Sequence, residues 1–324
     1  MIEEGSMAGK DDRTEEKDEL SVVEEALARL AILEDVGEQD LTATAVVPPE
    51  ERAVARVQAR QGGVLSGVGV AVRTFHAVDP SIQVEVLLES GSPFIMGQEI
   101  LRAHGRTRSL LTAERSVLNF LQHLSGIASA TARFVDAVRG TGVRITDTRK
   151  TIPCLRLLEK EAVLHGGGVN HRLGLYDAVM IKDNHIDAAG GIAAAVAAAR
   201  AGAPGVPIIV EARSLDEAQG AARLGVGRIL LDNMTPAEVR DCVVAIRAIE
   251  RGLPTPTDES RWLPGTWRSG DGIIQIEVSG RITLESAARY AVPGVDFLAV
   301  GAITHSAPSL DLTMDLDILP RANA

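Results

Sequence analysis

From Val143 onward, short apolar runs alternate with segments of helical periodicity, and this alternation limits the folds open to the chain. It is typical of βα units built around a parallel sheet. The expected strands are Val143–Asp147, Ala178–Lys182, Pro207–Glu211, Arg228–Asp232, Ile273–Glu277 and Asp296–Val300. We therefore predict an α/β barrel, similar to a TIM barrel, over residues 141–305. Residues 250–272, rich in proline and glycine and carrying both tryptophans, are predicted to form an insertion in it.

The chain before this region has a different pattern. Helical spacing at Ser21–Leu33 and Thr112–Val138 encloses extended segments near Arg52–Arg60, Ile82–Leu88 and Gln98–Arg108. Such a mixture of strands with one or two helices favours an α+β sandwich.

We assign this sandwich domain to residues 21–140 and expect the C-terminal segment 306–324 to join it. Residues 1–20 contain eight acidic side chains against three basic ones and no apolar segment of the kind found in signal peptides. They are predicted to form a disordered acidic tail.

The composition excludes several classes of protein. A formal net charge of −11 argues against a general nucleic-acid binder, because the phosphate backbone requires cationic surfaces. No run is apolar enough to predict a membrane span. The two cysteines, Cys154 and Cys242, can form no disulfide framework, so we expect reduced thiols in a cytoplasmic protein.

Polar or glycine residues stand at or just after the end of each predicted strand. The carboxyl ends of the strands of a parallel barrel open on one face, where the active sites of such barrels lie. The expected groups at this mouth are Arg149, Lys150, Lys182, Glu211, Asp232, Ser279 and Gly301. Spacing alone therefore predicts a single site of mixed charge.

The segment Ile145–His185 is unusually cationic for an acidic protein. It holds Arg149, Lys150, Arg156, Lys160, Arg172 and Lys182 among apolar neighbours. Because an unpaired buried charge is costly, cations in such a framework require anions from the protein or from a ligand. An enzyme acting on anionic substrates, a Schiff-base enzyme using Lys182 and a non-catalytic anion sensor all fit this pattern.

For the remaining groups at the mouth, a ligand-binding role and a structural role both fit the sequence. Glu211 and Asp232 could bind Mg²⁺ together with substrate oxygens, or could pair with the neighbouring cations. Ser279-Gly280 and Gly301-Ala302 could cradle a phosphate, or could be ordinary strand-to-helix turns.

Several segments resemble the quinolinate phosphoribosyltransferases. They are EDVGEQDLTATAVVP, AERSVLNFLQHLSGIAS, DTRKTIPCLRLLEKEAV, GGGVNHRLGLYDAVMIKDNHI, LLDNM and VGAITHS. The resemblance covers about Leu20 to Leu316. It implies an N-terminal sandwich with an open α/β barrel, in a homodimer or higher homo-oligomer with shared active sites. It also implies Mg²⁺-dependent conversion of quinolinate and phosphoribosyl pyrophosphate into nicotinate mononucleotide, pyrophosphate and CO₂.

The resemblance also implies roles for residues that match the family's motifs. Quinolinate would be held by Arg115 (from the neighbouring subunit), Arg149, His171, Arg172 and Lys182. Phosphoribosyl pyrophosphate would be contacted by Lys150, Glu211, Asp232, Ser279, Gly280, Gly301 and His305. The catalytic groups would be Lys150, Lys182, Glu211 and Asp232, with Glu211 and Asp232 also near Mg²⁺, directly or indirectly.

The chain departs from the family pattern at several positions. Ile209 and Arg213 stand where relatives usually carry acids, and Cys154 and Arg281 stand where glycine is usual. These departures bear on the donor side of the site. They leave open a related enzyme that acts on another pyridine carboxylate.

Overall fold

The computed structural model describes residues 12–253 and 274–320, with side chains from Glu19 onward. The chain divides into two compact units. One contains the residues up to Ser125 together with those from Leu310, and the other is Gly126–Ser309. The boundary falls inside one long helix and not at residue 140, where the change of sequence pattern would put it.

The N-terminal unit is an antiparallel sheet covered by helices. Its sheet has the strand order β12-β1-β5-β3, and β1 pairs antiparallel with both β12 and β5. The helices are α1 (Asp12–Val36), α2 (Leu41–Val46), α3 (Val68–Val78) and α4 (Thr107–Ala137), and the strands are β1 (Arg52–Ala59), β2 (Gly63–Val64), β3 (Gln83–Val86), β4 (Pro93–Phe94), β5 (Glu99–Arg106) and β12 (Leu312–Ile318). This arrangement confirms the predicted α+β sandwich.

The apolar core of this unit lies between its sheet and its helices. Alternate residues of β1 face inward and pack against apolar side chains of α3 and α4, among them Val57, Phe75 and Leu121, all fully buried. The period of two along the strand and the helical spacing of α4 thus direct both apolar faces into one core. The tail prediction needs correction, because residues 12–20 are helical in α1, as suits their good helix formers.

The second unit is built on a six-stranded sheet of order β6-β11-β10-β9-β8-β7. Every neighbouring pair is parallel. The strands are β6 (Arg144–Thr146), β7 (Val179–Ile181), β8 (Ile208–Ala212), β9 (Arg228–Asp232), β10 (Gln275–Ser279) and β11 (Phe297–Ala299). In the part of the chain that the structure describes, β6 and β7 form the two edges, which agrees with an open α/β barrel.

Helices connect these strands. They are α5 (Arg156–His165), α6 (Asp183–Ala189), α7 (Ile192–Gly202), α8 (Leu215–Arg223), α9 (Pro236–Glu250), α10 (Leu284–Tyr290) and α11 (Ala302–His305). The strands are buried between helices and the barrel interior, so all five residues of β8 are buried. Each predicted strand of the barrel overlaps one of these six, with shifts of at most two residues at the ends.

Most of the predicted insertion at 250–272 lies outside the described residues; α9 ends at Glu250, where the insertion begins. Among the helices of the described ranges, none is both long and apolar enough to cross a membrane.

Two of the residues that depart from the family pattern have a left-handed backbone conformation. Cys154 has φ 68° and Arg281 has φ 50°. L-residues other than glycine are disfavoured in this region by contact between Cβ and the backbone. A glycine at either position would be unstrained, which gives a physical reason for the family pattern.

Candidate active site

A cavity of about 930 Å³ opens at the carboxyl ends of the barrel strands. The predicted site residues that line it are Arg149, Lys150, His171, Arg172, Lys182, Glu211, Asp232, Ser279, Gly280, Gly301 and His305. The structure therefore brings together the predicted groups of the barrel unit. Arg115 is exposed on α4 in the N-terminal unit and is not among these lining residues. Its role stays a prediction.

A buried ion pair holds the loop that carries His171 and Arg172. Lys160 on α5 and Asp147 after β6 are in direct contact, and both side chains are at most 1% exposed. The Lys160 ammonium also donates to the carbonyl of His171 at 2.9 Å, and Asp147 Oδ1 accepts from the backbone N–H of His171 at 2.9 Å. Burial raises the pKa of Asp147 to about 6 despite the adjacent Lys160. The pair fixes both backbone groups of His171 and so positions the loop.

Arg149 and Arg172 bring two guanidinium groups to the cavity. Arg172 is 8% exposed, and its Nη1 donates to the carbonyl of Ala178 at 2.9 Å. The Nε atoms of both arginines are buried and have no hydrogen-bond partner within residues 12–253 and 274–320. Burial, and then the charge of Arg149, lower the pKa of Arg172. Both arginines line the cavity, and guanidinium groups there are suited to the oxygens of carboxylate or phosphate groups.

His171 and Glu277 face each other inside the barrel. Nε2 of His171 lies 3.3 Å from Oε1 of Glu277, and the side chains are 6% and 0% exposed. The other oxygen of Glu277 accepts from Nη1 of Arg228 at 2.9 Å. Burial would raise the pKa of Glu277, but His171 and Arg228 outweigh it and lower the pKa to about 2. Glu277 is therefore an ionised carboxylate in the wall of the cavity.

At the ends of β7 and β8, Lys182 pairs with Glu211. Their side chains meet at 2.7 Å, and Lys182 is 45% exposed while Glu211 is 11% exposed. Asp232 ends β9, and one of its oxygens accepts from the amide of Asn233 at 2.6 Å. Two carboxylates and one ammonium thus form a polar rim.

The two glycine turns lie close to backbone and side-chain groups of this rim. A Cβ on Gly280, which has φ 105°, would stand 2.7 Å from the backbone N of Asn233. A Cβ on Gly301 would stand 3.2 Å from Cδ of Lys150 and 3.3 Å from Nε2 of His305. Glycine at both positions keeps space and backbone N–H groups available, as a phosphate-binding turn requires.

Three residues that depart from the family pattern, Ile209, Arg213 and Arg281, lie in different surroundings. Ile209 is 1% exposed and packs with Ala178 and Leu230 in the barrel interior. Arg213 is exposed, pairs with Glu217 at 2.8 Å and is not among the lining residues. Arg281 does line the cavity. Of these three departures from the family pattern, only Arg281 adds a charge to the site itself.

The sequence prediction did not identify Glu277, Asn233 or Thr148 as site residues, although all three line the cavity. A signal for Glu277 was present, because Gln275 and Glu277 place two polar side chains on one face of an otherwise apolar strand. Conversely, His185 has a local role: its Nδ1 accepts from the backbone N–H of Lys182 at 3.0 Å and caps α6.

No group of three or more His, Cys, Asp or Glu side chains that could hold a metal ion occurs within the described ranges. Glu211 and Asp232 alone are a sparse set of ligands. That set fits Mg²⁺, which is usually bound by one or two carboxylates together with substrate phosphate oxygens and water.

Family models match nearly all of the described chain. The N-terminal domain model of quinolinate phosphoribosyl transferase matches residues 40–125, and the C-terminal domain model matches residues 127–315. A Mycobacterium leprae protein named nicotinate-nucleotide pyrophosphorylase [carboxylating] is 42% identical over 279 residues. The match covers 86% of this chain and 91% of that protein.

Solved structures agree with these matches. The nicotinate-nucleotide pyrophosphorylase from Francisella tularensis superposes with a TM-score of 0.81 at 34% identity, covering 92% of this chain and 97% of that one. NadC from Streptococcus pyogenes gives a TM-score of 0.79 at 38% identity, with 90% and 97% covered. The chain belongs to the quinolinate phosphoribosyltransferase family.

Proposed function

We propose that this protein transfers the phosphoribosyl group of phosphoribosyl pyrophosphate to quinolinate with loss of CO₂, giving nicotinate mononucleotide and pyrophosphate for NAD biosynthesis. The observation that carries the proposal is the convergence of Arg149, Arg172 and Lys182 on one cavity. Quinolinate has two adjacent carboxylates, and planar carboxylates are the preferred partners of arginine. The names and matched lengths of the relatives support the same reaction.

In this proposal, Arg149, His171, Arg172 and Lys182 bind the two carboxylates and orient the pyridine ring. Fixing the ring nitrogen beside the anomeric carbon makes a bimolecular step effectively unimolecular. The nitrogen forms a bond to that carbon as the bond to pyrophosphate breaks. The positively charged ring then accepts the electron pair of the breaking C–COO bond, CO₂ leaves, and a proton takes its place.

The donor occupies the other half of the cavity. Lys150 offers a cation close to the Gly301 turn, and Thr304 Oγ1 holds the carbonyl of Lys150 at 2.8 Å. We infer that Ser279, Gly280, Gly301 and His305 surround the 5′-phosphate. Glu211 and Asp232 would stabilise the positive charge that develops on the ribose in the transition state.

We infer that the reaction requires Mg²⁺ as the companion ion of phosphoribosyl pyrophosphate. Glu211 and Asp232 are the groups that would hold it, directly or through water. When bound, the ion neutralises charge on the departing pyrophosphate. Removing divalent ions with a chelator is expected to abolish turnover, and added Mg²⁺ should restore it.

We also infer a cytoplasmic homodimer or higher oligomer in which Arg115 reaches the site of a neighbouring subunit. Free Cys154 and Cys242 agree with a reducing compartment. Arg115→Ala protein mixed with protein inactivated at Lys182 should regain part of its activity, because one site of the mixed dimer is intact. Mixed dimers that form and stay inactive would contradict the shared site.

The deciding experiment measures Mg²⁺-dependent formation of nicotinate mononucleotide and CO₂ from quinolinate and phosphoribosyl pyrophosphate. Nicotinate and other pyridine carboxylates serve as competing substrates. Turnover of another pyridine carboxylate in preference to quinolinate would reassign the substrate. Tight quinolinate binding with no turnover would favour an anion sensor over an enzyme.

A further inference from the structure

Glu277 is an unexpected group for an anion site. Its carboxylate is fully buried and ionised, yet it lines the cavity whose arginines and lysines are suited to carboxylates and phosphates. A negative charge at this place opposes anion binding, so we expect the carboxylate to serve a neighbouring group. Of its two charged or ionisable partners, Arg228 and His171, only His171 also lines the cavity.

One end of the His171 ring is fixed by the main chain. The backbone N–H of Arg172 donates to Nδ1 of His171 at 2.7 Å. A ring nitrogen that accepts a hydrogen bond carries no proton, so the proton of the neutral ring is on Nε2. The Nε2–H group therefore faces Glu277.

The other end of the ring is only partly satisfied. Nε2 of His171 and Oε1 of Glu277 are 3.3 Å apart. Neither atom makes a hydrogen bond of acceptable angle with any residue in the described ranges. The carboxylate thus stabilises a proton on Nε2 through its charge, and both atoms are shielded from solvent.

Glu277 itself is held rigidly from behind. Arg228 is 2% exposed and donates to Oε2 of Glu277 at 2.9 Å. The same guanidinium donates through Nε and Nη2 to Oε1 of Gln275 at 2.9 and 2.7 Å, and stacks 4.3 Å from the centre of the Phe297 ring. The carboxylate therefore has little freedom to turn away from His171.

We propose that Glu277 is a positioning residue that keeps the proton of His171 on Nε2, so that Nδ1 accepts from the backbone N–H of Arg172 and holds Arg172 in place at the cavity. The inference rests on the proposed function only for the identity of the ligand that Arg172 binds. The placement of the proton does not depend on it.

The variant Glu277→Gln tests this closely, because it changes charge and donor pattern without changing shape. Arg228 can only donate, so it selects the amide oxygen and turns the amide NH₂ towards Nε2 of His171. Two donors then oppose each other. Moving the ring proton to Nδ1 would in turn oppose the N–H of Arg172.

A matched control is Gln275→Met. Gln275 lies on the same face of β10 two residues earlier, is 2% exposed and also binds Arg228, but does not line the cavity. Glu277→Gln changes one partner of Arg228 from a carboxylate to an amide, and Gln275→Met removes the other acceptor. Only Glu277→Gln changes what His171 faces.

The first measurement is ¹⁵N NMR of histidine-labelled protein without substrate, with the His171 signals assigned by their loss in His171→Asn. The wild-type and Gln275→Met proteins should show Nε2 protonated and Nδ1 unprotonated in the neutral ring, and Glu277→Gln should shift this pattern. A neutral wild-type ring protonated on Nδ1 would overturn the inference without any variant. So would identical His171 spectra in Glu277→Gln and wild type.

The second measurement is calorimetric titration with quinolinate alone. Because Arg172 would lose its fixed position, affinity for quinolinate should be about tenfold weaker or more in Glu277→Gln, with Gln275→Met within about threefold of wild type. Equal losses in both variants would assign Glu277 a structural role only. Failure of the wild type to bind quinolinate would refute the proposed function and the role in substrate binding, while the NMR result would still decide the position of the proton.

Discussion

Replacing Arg172 by methionine should have opposite effects on quinolinate binding and on stability. Methionine keeps an unbranched chain of similar length but removes the guanidinium. In the protein without quinolinate, Arg172 is 8% exposed, has an unmet Nε and stands beside another cation. Its burial therefore costs free energy, which binding of an anion would recover.

The magnitudes follow from its contacts. The variant loses one hydrogen bond, to the carbonyl of Ala178, worth about 0.5–1.5 kcal/mol, and gains relief from a buried unmet donor, worth about 1–3 kcal/mol. We expect the free energy of unfolding without quinolinate to be unchanged or higher. Quinolinate affinity should fall at least about tenfold, since truncating a buried charge pair costs about 2–5 kcal/mol and about 1.4 kcal/mol is one decade.

Urea unfolding with and without quinolinate measures both quantities. At a quinolinate concentration of 100 times its Kd, the wild type should gain about 2.7 kcal/mol, and the variant much less. Arg144→Met is the control, because Arg144 is a partly buried cation whose pKa is also lowered by burial, and it begins β6 and does not line the cavity. A loss of more than about 2 kcal/mol of stability in Arg172→Met, or unchanged quinolinate affinity, would refute the reasoning.

Three further predictions concern single side chains. Cys154→Gly should raise the free energy of unfolding by about 0.5–1 kcal/mol in denaturant titrations, because the strain removed from the left-handed backbone exceeds the cost of the added freedom of the unfolded chain. A lower free energy of unfolding in the variant would show that the exposed thiol packs favourably. Arg281→Gly should raise the KM for phosphoribosyl pyrophosphate several-fold while Arg281→Lys stays near wild type; equal KM values in all three proteins would remove this cation from the donor site. Asp79 accepts hydrogen bonds from Ser81, Ser109 and Arg106, and although burial alone would raise its pKa, these bonds hold the pKa well below its ordinary value. The contribution of ionised Asp79 to the free energy of unfolding is therefore fully present above the ordinary pKa of about 3.8 and is lost as pH falls below it. Asp79→Asn should lower stability at pH 7 and flatten the acid limb of the pH–stability curve. Parallel curves for the variant and the wild type would contradict this.

The sequence was most informative where one periodicity controls the structure. The barrel strands could be placed because buried parallel strands are short apolar runs and because polar groups cluster after them. The short helix α2 was not predicted, since six residues capped by Asp40 are too few to show a helical period. Its stability comes from the cap and from packing, not from its own pattern.

The inner wall of the site was harder to predict for another reason. Lys160 and Asp147 are 13 residues apart, and only the path of the loop between them brings them into contact. Likewise, His171 and Glu277 come from distant parts of the chain, and their pairing depends on which face of β10 points inward. A single sequence lists such groups but does not specify which of them meet.

The apolar cluster beneath the cations has a consequence for the size of ligand that the cavity accepts. Met180 and Leu230 line the cavity and pack on Ile209 and Ala178. None of these side chains carries a charge, and a methionine adapts its shape easily. Recognition of charge and recognition of ring bulk are therefore performed by different residues. An engineered enzyme for larger azines could be sought by shortening Met180 or Leu230 while every cation around the cavity stays in place.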